Sequence, residues 1–176
     1  MIGIDGLEEK GINLSVSLLL REKLEEKGYT VVLTRESDQR LYDDSAQNKK
    51  AQDLQRRIAL IDETAPVLTV SIHQNSYHDP SVKGPQVFYY ETSGEGKELA
   101  ADLQESLNTT LEVERPREIK GNTSYYLLKR SKGVLVIAEC GFLTNPDEAD
   151  LLQTEEYQEK VADALTDGIV TYLRKV

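Results

Sequence analysis

Val134-Leu135-Val136-Ile137-Ala138 is the most apolar run in the chain, and it limits the fold more than any other stretch. A strand with apolar side chains on both faces has to be covered on both, which is the situation of a parallel strand between two layers of helices. A second strand is predicted where Leu68, Val70 and Ile72 alternate with Thr69, Ser71 and His73, the period of two that marks an extended segment. Pro66 limits it on one side and the polar Gln74-Asn75 on the other. Residues 29–34 and 86–91 read as two further strands.

Helical stripes fall between them. Ile12, Val16, Leu19, Leu20 and Leu24 lie on one face of a first helix that Gly28 closes from the C′ position. Ala51, Leu54, Ile58 and Ile61 mark a second helix, which stops before Pro66, and Leu99, Leu103 and Leu107 a third. Asn145-Pro146-Asp147-Glu148 supplies an N-cap, a proline at N1 and a glutamate at N3 for a capping box. Thr154 caps a last helix with the stripe Val161, Leu165, Ile169 and Tyr172. Residues 1–6 do not read as a strand, 35–50 and 115–122 read as polar surface, and 125–128 as a short strand or helix. Strands alternating with helices give a three-layer αβα domain around a mostly parallel, twisted sheet.

At 176 residues the chain fits one domain. Its net charge of −10 argues against a nucleic-acid partner, because phosphates would be repelled. No apolar run approaches the roughly 20 residues of a membrane span, and the start has no signal-peptide core. The single cysteine, Cys140, excludes an internal disulfide.

Three polar residues stand where chemistry could occur. His73 ends one predicted strand and Glu139 follows another directly, so both emerge at the carboxyl edge of the sheet if the strands are parallel. That edge is where open α/β folds bind ligands. Glu9 lies just ahead of the first helix, within reach of the same edge through a sharp turn. One imidazole and two carboxylates suit a hydrolytic zinc site, in which two or three ligate the ion and a carboxylate takes a proton from water.

Glu9-Lys10-Gly11-Ile12-Asn13-Leu14, Ser71-Ile72-His73-Gln74-Asn75 and Glu139-Cys140-Gly141-Phe142-Leu143-Thr144-Asn145 resemble the three successive signatures of the zinc-dependent N-acetylmuramoyl-L-alanine amidases of the amidase-3 family. Residues 71–90, 124–129 and 139–152 most resemble its germination-specific, spore-cortex branch. The resemblance implies that Glu9 and His73 are zinc ligands and that Glu139 is the catalytic carboxylate. The reaction it implies is attack of water on the amide between N-acetylmuramic acid and L-alanine of the peptidoglycan stem peptide. Asn75, Gln74 and Arg57 support the site in that reading, and His78 is a loop residue. The implied setting is the cell envelope or the forespore cortex, with a protein partner possible.

Members of that family open with a strand leading to a Gly-His-Gly-Gly-like turn, whose histidine is the first zinc ligand. No histidine precedes His73 here. The expectation is an N-terminally truncated domain over residues 1–176, a sheet without its first strand, and zinc held weakly or not at all, since a catalytic zinc normally keeps three protein ligands. Two other readings stand beside the amidase. One is a cysteine hydrolase that pairs Cys140 with His73, although strand alternation turns Cys140 away from Glu139. The other is a non-catalytic peptidoglycan-binding or interaction module whose metal site is defective.

Overall fold

The computed structural model describes residues 3–176. Of residues 1–6, which do not read as a strand, Met1 and Ile2 lie outside the described residues, and Ile4–Gly6 form one turn of 3₁₀ helix. Four strands follow: β1 (Thr69–Asn75), β2 (Gln86–Tyr90), β3 (Lys120–Asn122) and β4 (Leu135–Phe142). Six α-helices accompany them: α1 (Glu9–Glu26), α2 (Lys49–Thr64), α3 (Gly94–Thr110), α4 (Tyr126–Arg130), α5 (Pro146–Leu152) and α6 (Glu155–Leu173). The sheet order is β1-β4-β2-β3. β1 runs parallel to β4 and β3 parallel to β2, while β2 and β4 are antiparallel.

The apolar β4 separates two cores. Its even-numbered residues Val136, Ala138 and Cys140 join the larger core with Val16, Leu99, Leu103, Leu165 and Ile169 from α1, α3 and α6. Its odd-numbered Leu135 and Ile137 join Phe88, Ile61 of α2 and Leu127 and Leu128 of α4 in a smaller one. Alternation along β1 agrees, since Val70 and Ile72 pack on the larger core. Ser71 and His73 therefore face the thinner layer of α2 and α4, which leaves room for a site.

Several segments differ from the sequence expectation. Residues 29–34 form no strand: the Tyr29 N–H bonds back to Leu24 O and Val32 is 57% exposed. Tyr29 and Val31 nevertheless pack on the larger core. A strand also needs a neighbour for its backbone groups, and among the described residues no ladder takes them. β1 is a half-buried strand at the edge of the described sheet. β4 runs past Ala138 through Glu139 to Phe142, so Glu139 is a ladder residue rather than the one after the strand. Lys120–Asn122 pairs with β2 although nothing in Lys-Gly-Asn alternates, and 126–130 is helical.

The helix ends follow local chemistry. Gly28 adopts φ +86°, and the bonds Gly28 N–H to Glu25 O and Tyr29 N–H to Leu24 O close α1 as a Schellman motif. Asn145 Oδ1 caps α5 by accepting from Glu148 N–H at 3.0 Å. The reciprocal half of the capping box does not form. The Glu148 carboxylate instead accepts from Phe142 N–H at 2.8 Å and Gly84 N–H at 2.9 Å, tying the loop after β1 to the end of β4.

Candidate active site

β1 and β4 are in register with His73 beside Glu139, and β2 places Gln86 on the other side of Glu139. Parallel neighbours in register share a face and lie ~4.8 Å apart, so imidazole and carboxyl emerge together at the carboxyl ends of the two strands. Glu9, the first residue of α1, closes the group from the helical side. Its Oε1 accepts from His73 Nδ1 at 2.8 Å. A glutamate in the run Glu8-Glu9-Lys10 would ordinarily be solvated, yet Glu9 is buried.

The two carboxyl groups are driven apart in acidity. Burial alone would raise Glu9, but the group is held at about 2, and among the described residues the hydrogen bond and charge of His73 and a bond from Asn13 pull it down. Glu139 is pushed up to about 7, by burial above all and by the Glu9 carboxylate, against the opposing pull of His73. Its Oε2 is buried without a hydrogen-bond partner among the described residues. A carboxyl near 7 with an unused oxygen beside an ionised one is the pattern of a proton acceptor poised for neutral pH.

The remaining candidates sit at varying distance from this centre. Gln74 is fully buried; its N–H donates to Glu9 Oε1 at 3.2 Å and its side-chain amide to Asn13 Oδ1 at 3.2 Å. Asn75 accepts from Ser76 N–H at 2.8 Å and from Leu143 N–H through its carbonyl, so it shapes the turn out of β1. Arg57 is held by Asp53 at 2.7 Å and donates to Thr34 Oγ1 at 3.0 Å; the bonds it makes anchor the 29–48 segment on α2. His78 packs on the Tyr77 ring at 4.1 Å in the loop after β1. Cys140 is buried in the larger core with its thiol pushed far up by burial, which removes it as a nucleophile.

Two residues of the neighbourhood were missed by sequence reasoning. Asn13 stands four residues after Glu9, the spacing at which helical side chains meet, and its Nδ2 donates to Glu9 Oε1 at 3.1 Å. Tyr125, stacked on Phe88 at 5.4 Å between centroids, is raised by burial and by the nearby charge of Glu139. Only the fold brings it there. Among the described residues, no group of three or more His, Cys, Asp or Glu side chains is arranged to hold a metal ion.

His73 thus stands between two carboxyl groups of very different acidity, at the carboxyl ends of two parallel strands of an α/β enzyme fold. The chain belongs to the N-acetylmuramoyl-L-alanine amidase family (Amidase_3), whose model matches residues 1–171. It is 36% identical over 169 residues to the germination-specific N-acetylmuramoyl-L-alanine amidase of Bacillus subtilis, covering 94% of this chain and 71% of that protein. The CwlD amidase from Clostridioides difficile, solved in complex with the GerS lipoprotein, superposes with a TM-score of 0.95 at 37% identity over 100% of this chain and 92% of that one. The amidase AmiC2 of Nostoc punctiforme gives 0.84 at 27% identity over 99% and 89%.

Proposed function

We propose that this chain hydrolyses the amide between N-acetylmuramic acid and L-alanine of the peptidoglycan stem peptide, with zinc, in the maturation of spore cortex. The observation that carries the reading is the 2.8 Å contact of Glu9 Oε1 with His73 Nδ1, on the strand next to Glu139. The donors fit zinc in kind, being one carboxylate ionised at neutral pH and one imidazole nitrogen. When bound, zinc supplies a Lewis acid that brings the pKa of water to about 7 and stabilises the oxyanion at the carbonyl. Glu9 and His73 would hold it.

Glu139 takes the proton of the attacking water and passes it to the leaving amine of L-alanine as the C–N bond breaks. The lowered polarity that raises this carboxyl also lets it give the proton back. Asn75 sets the turn out of β1, and Arg57 braces the loop before α2. The setting is the cell envelope or forespore cortex, a reading supported by the germination-specific relative; among the described residues no helix is long and apolar enough to cross a membrane. A protein partner belongs to the proposal because the CwlD structure includes a lipoprotein.

Incubation with cortex muropeptides and zinc tests the reading. Release of stem peptides is expected, stopped by a chelator and by Glu139→Gln but not by a thiol alkylator. One observation favours a second reading, a peptidoglycan-binding module: among the described residues the two candidate metal donors fall short of the usual three. Muropeptide binding without turnover in excess zinc would select it.

A further inference from the structure

A carboxylate can only accept hydrogen bonds, and that fixes the orientation of the described groups His73, Gln74 and Asn13 around Glu9. The Gln74 backbone N–H and the His73 ring nitrogen meet Oε1 at 3.2 and 2.8 Å. The third neighbour, the Asn13 amide, must turn its Nδ2 toward the same oxygen, at 3.1 Å. Its Oδ1 then faces the Gln74 side chain, which donates from Nε2 at 3.2 Å. Gln74 is fully buried against the larger core and cannot rotate into solvent, so the chain of amides runs from a packed interior residue outward to one carboxylate oxygen.

Nothing in packing alone asks for two amides here. Both side chains stand at the junction of α1 and β1, where an apolar pair would satisfy the core with no polar group to match. We propose that Asn13 and Gln74 form an amide clamp, rooted in the buried Gln74, that positions the Glu9 carboxylate against His73 Nδ1 before an ion arrives. The inference rests on the reading of Glu9 as a zinc donor. Asn13 and Gln74 are positioning residues, and the Gln74 side chain acts through Asn13 while its backbone N–H meets Glu9 directly.

Zinc affinity of the purified chain, measured by competition with a chromogenic chelator, tests this in wild type, Asn13→Leu, Gln74→Met, the double variant and Glu9→Gln. Loss of an outer hydrogen-bond partner of a metal ligand weakens binding about 10- to 100-fold, and that loss is expected in Asn13→Leu. Gln74→Met keeps the backbone bond to Glu9 and should weaken binding less. The double variant should bind no worse than Asn13→Leu alone, whereas two independent packing defects would add. A second readout needs no metal: the nitrogen-bound proton of His73 Nδ1 in the NMR spectrum, which should lose its hydrogen-bonded shift in Asn13→Leu and in Glu9→Gln.

Wild-type affinity and an unchanged His73 signal in Asn13→Leu, with both altered in Glu9→Gln, would overturn the clamp and leave Glu9 as the donor. Unchanged zinc affinity in Glu9→Gln, or no zinc uptake by the wild-type chain, would overturn the donor reading instead. The His73 signal of Asn13→Leu then decides the clamp by itself.

Discussion

Glu9 and Glu139 lie at opposite ends of the carboxyl acidity range although both are shielded from water. Among the described residues Glu9 accepts from His73, Asn13 and Gln74, while burial dominates at Glu139, one of whose oxygens has no described hydrogen-bond partner. Each therefore has its own signature in stability against pH. Glu139 rises from 4.5 unfolded to about 7 folded, so the fold loses stability as pH climbs from about 4.5 through 7 and stays lower above it. In metal-free protein, Glu139→Gln is expected to stabilise at pH 8 by about 2–3 kcal/mol, with the gain gone below pH ~4.5, as measured by urea unfolding. Glu9 falls from 4.5 to about 2, so its contribution is present above about 4.5 and disappears as pH drops toward 2. Glu9→Gln should accordingly destabilise at pH 7 and be nearly neutral at pH 2. With zinc and muropeptide, Glu139→Gln should cost about 10²- to 10⁴-fold in turnover, giving a variant more stable and inactive.

At the scale of elements, two positions carry more than their sequence suggests. The Glu148 carboxylate accepts two buried N–H groups, of Phe142 and Gly84. Glu148→Ala orphans both and should cost about 2–4 kcal/mol, read as a lower urea midpoint with an unchanged slope. Gly168 lets α6 meet α3, since a Cβ there would lie 2.8 Å from Leu103 Cα. Gly168→Ala is expected to lose about 1–3 kcal/mol through overpacking, seen as a drop in Tm. The helices were legible because each combines a stripe with a cap: Ile12 to Leu24 with Gly28, or Val161 to Tyr172 with Thr154. The strands were legible where side chains alternate or run apolar, as at Leu68–Ile72 and Val134–Ala138. β3 was not, because its pairing with β2 is made by the backbone of Lys-Gly-Asn. Residues 29–34 misled for the converse reason, since alternation reports which side chains point inward and not whether a neighbouring strand exists. Glu148 was legible as a helix-start residue, but its bond to Gly84, 64 positions away, is a product of the fold.

For the molecule as a whole, β4 divides a large core under α1, α3 and α6 from a small one under α2 and α4. The uneven cover explains why His73, on the thinner side, keeps 40% of its side chain exposed while Gln74, one residue on, has none. The convergence of Glu9, His73 and Glu139 from positions 9, 73 and 139 was foreseen from the shared edge of parallel strands and from the family signatures; Asn13 and Tyr125 needed the fold. An ion held by native Glu9 and His73 links binding to folding, so zinc at 100 times its Kd should add about 2.7 kcal/mol and raise Tm by several degrees, with no rise in His73→Ala. The most direct test is anomalous diffraction at the zinc edge from crystals soaked in zinc. A single peak in contact with the Glu9 carboxylate and His73 Nδ1, facing Glu139, is the expected result. A zinc peak elsewhere on the molecule, with none at Glu9 and His73, would contradict it.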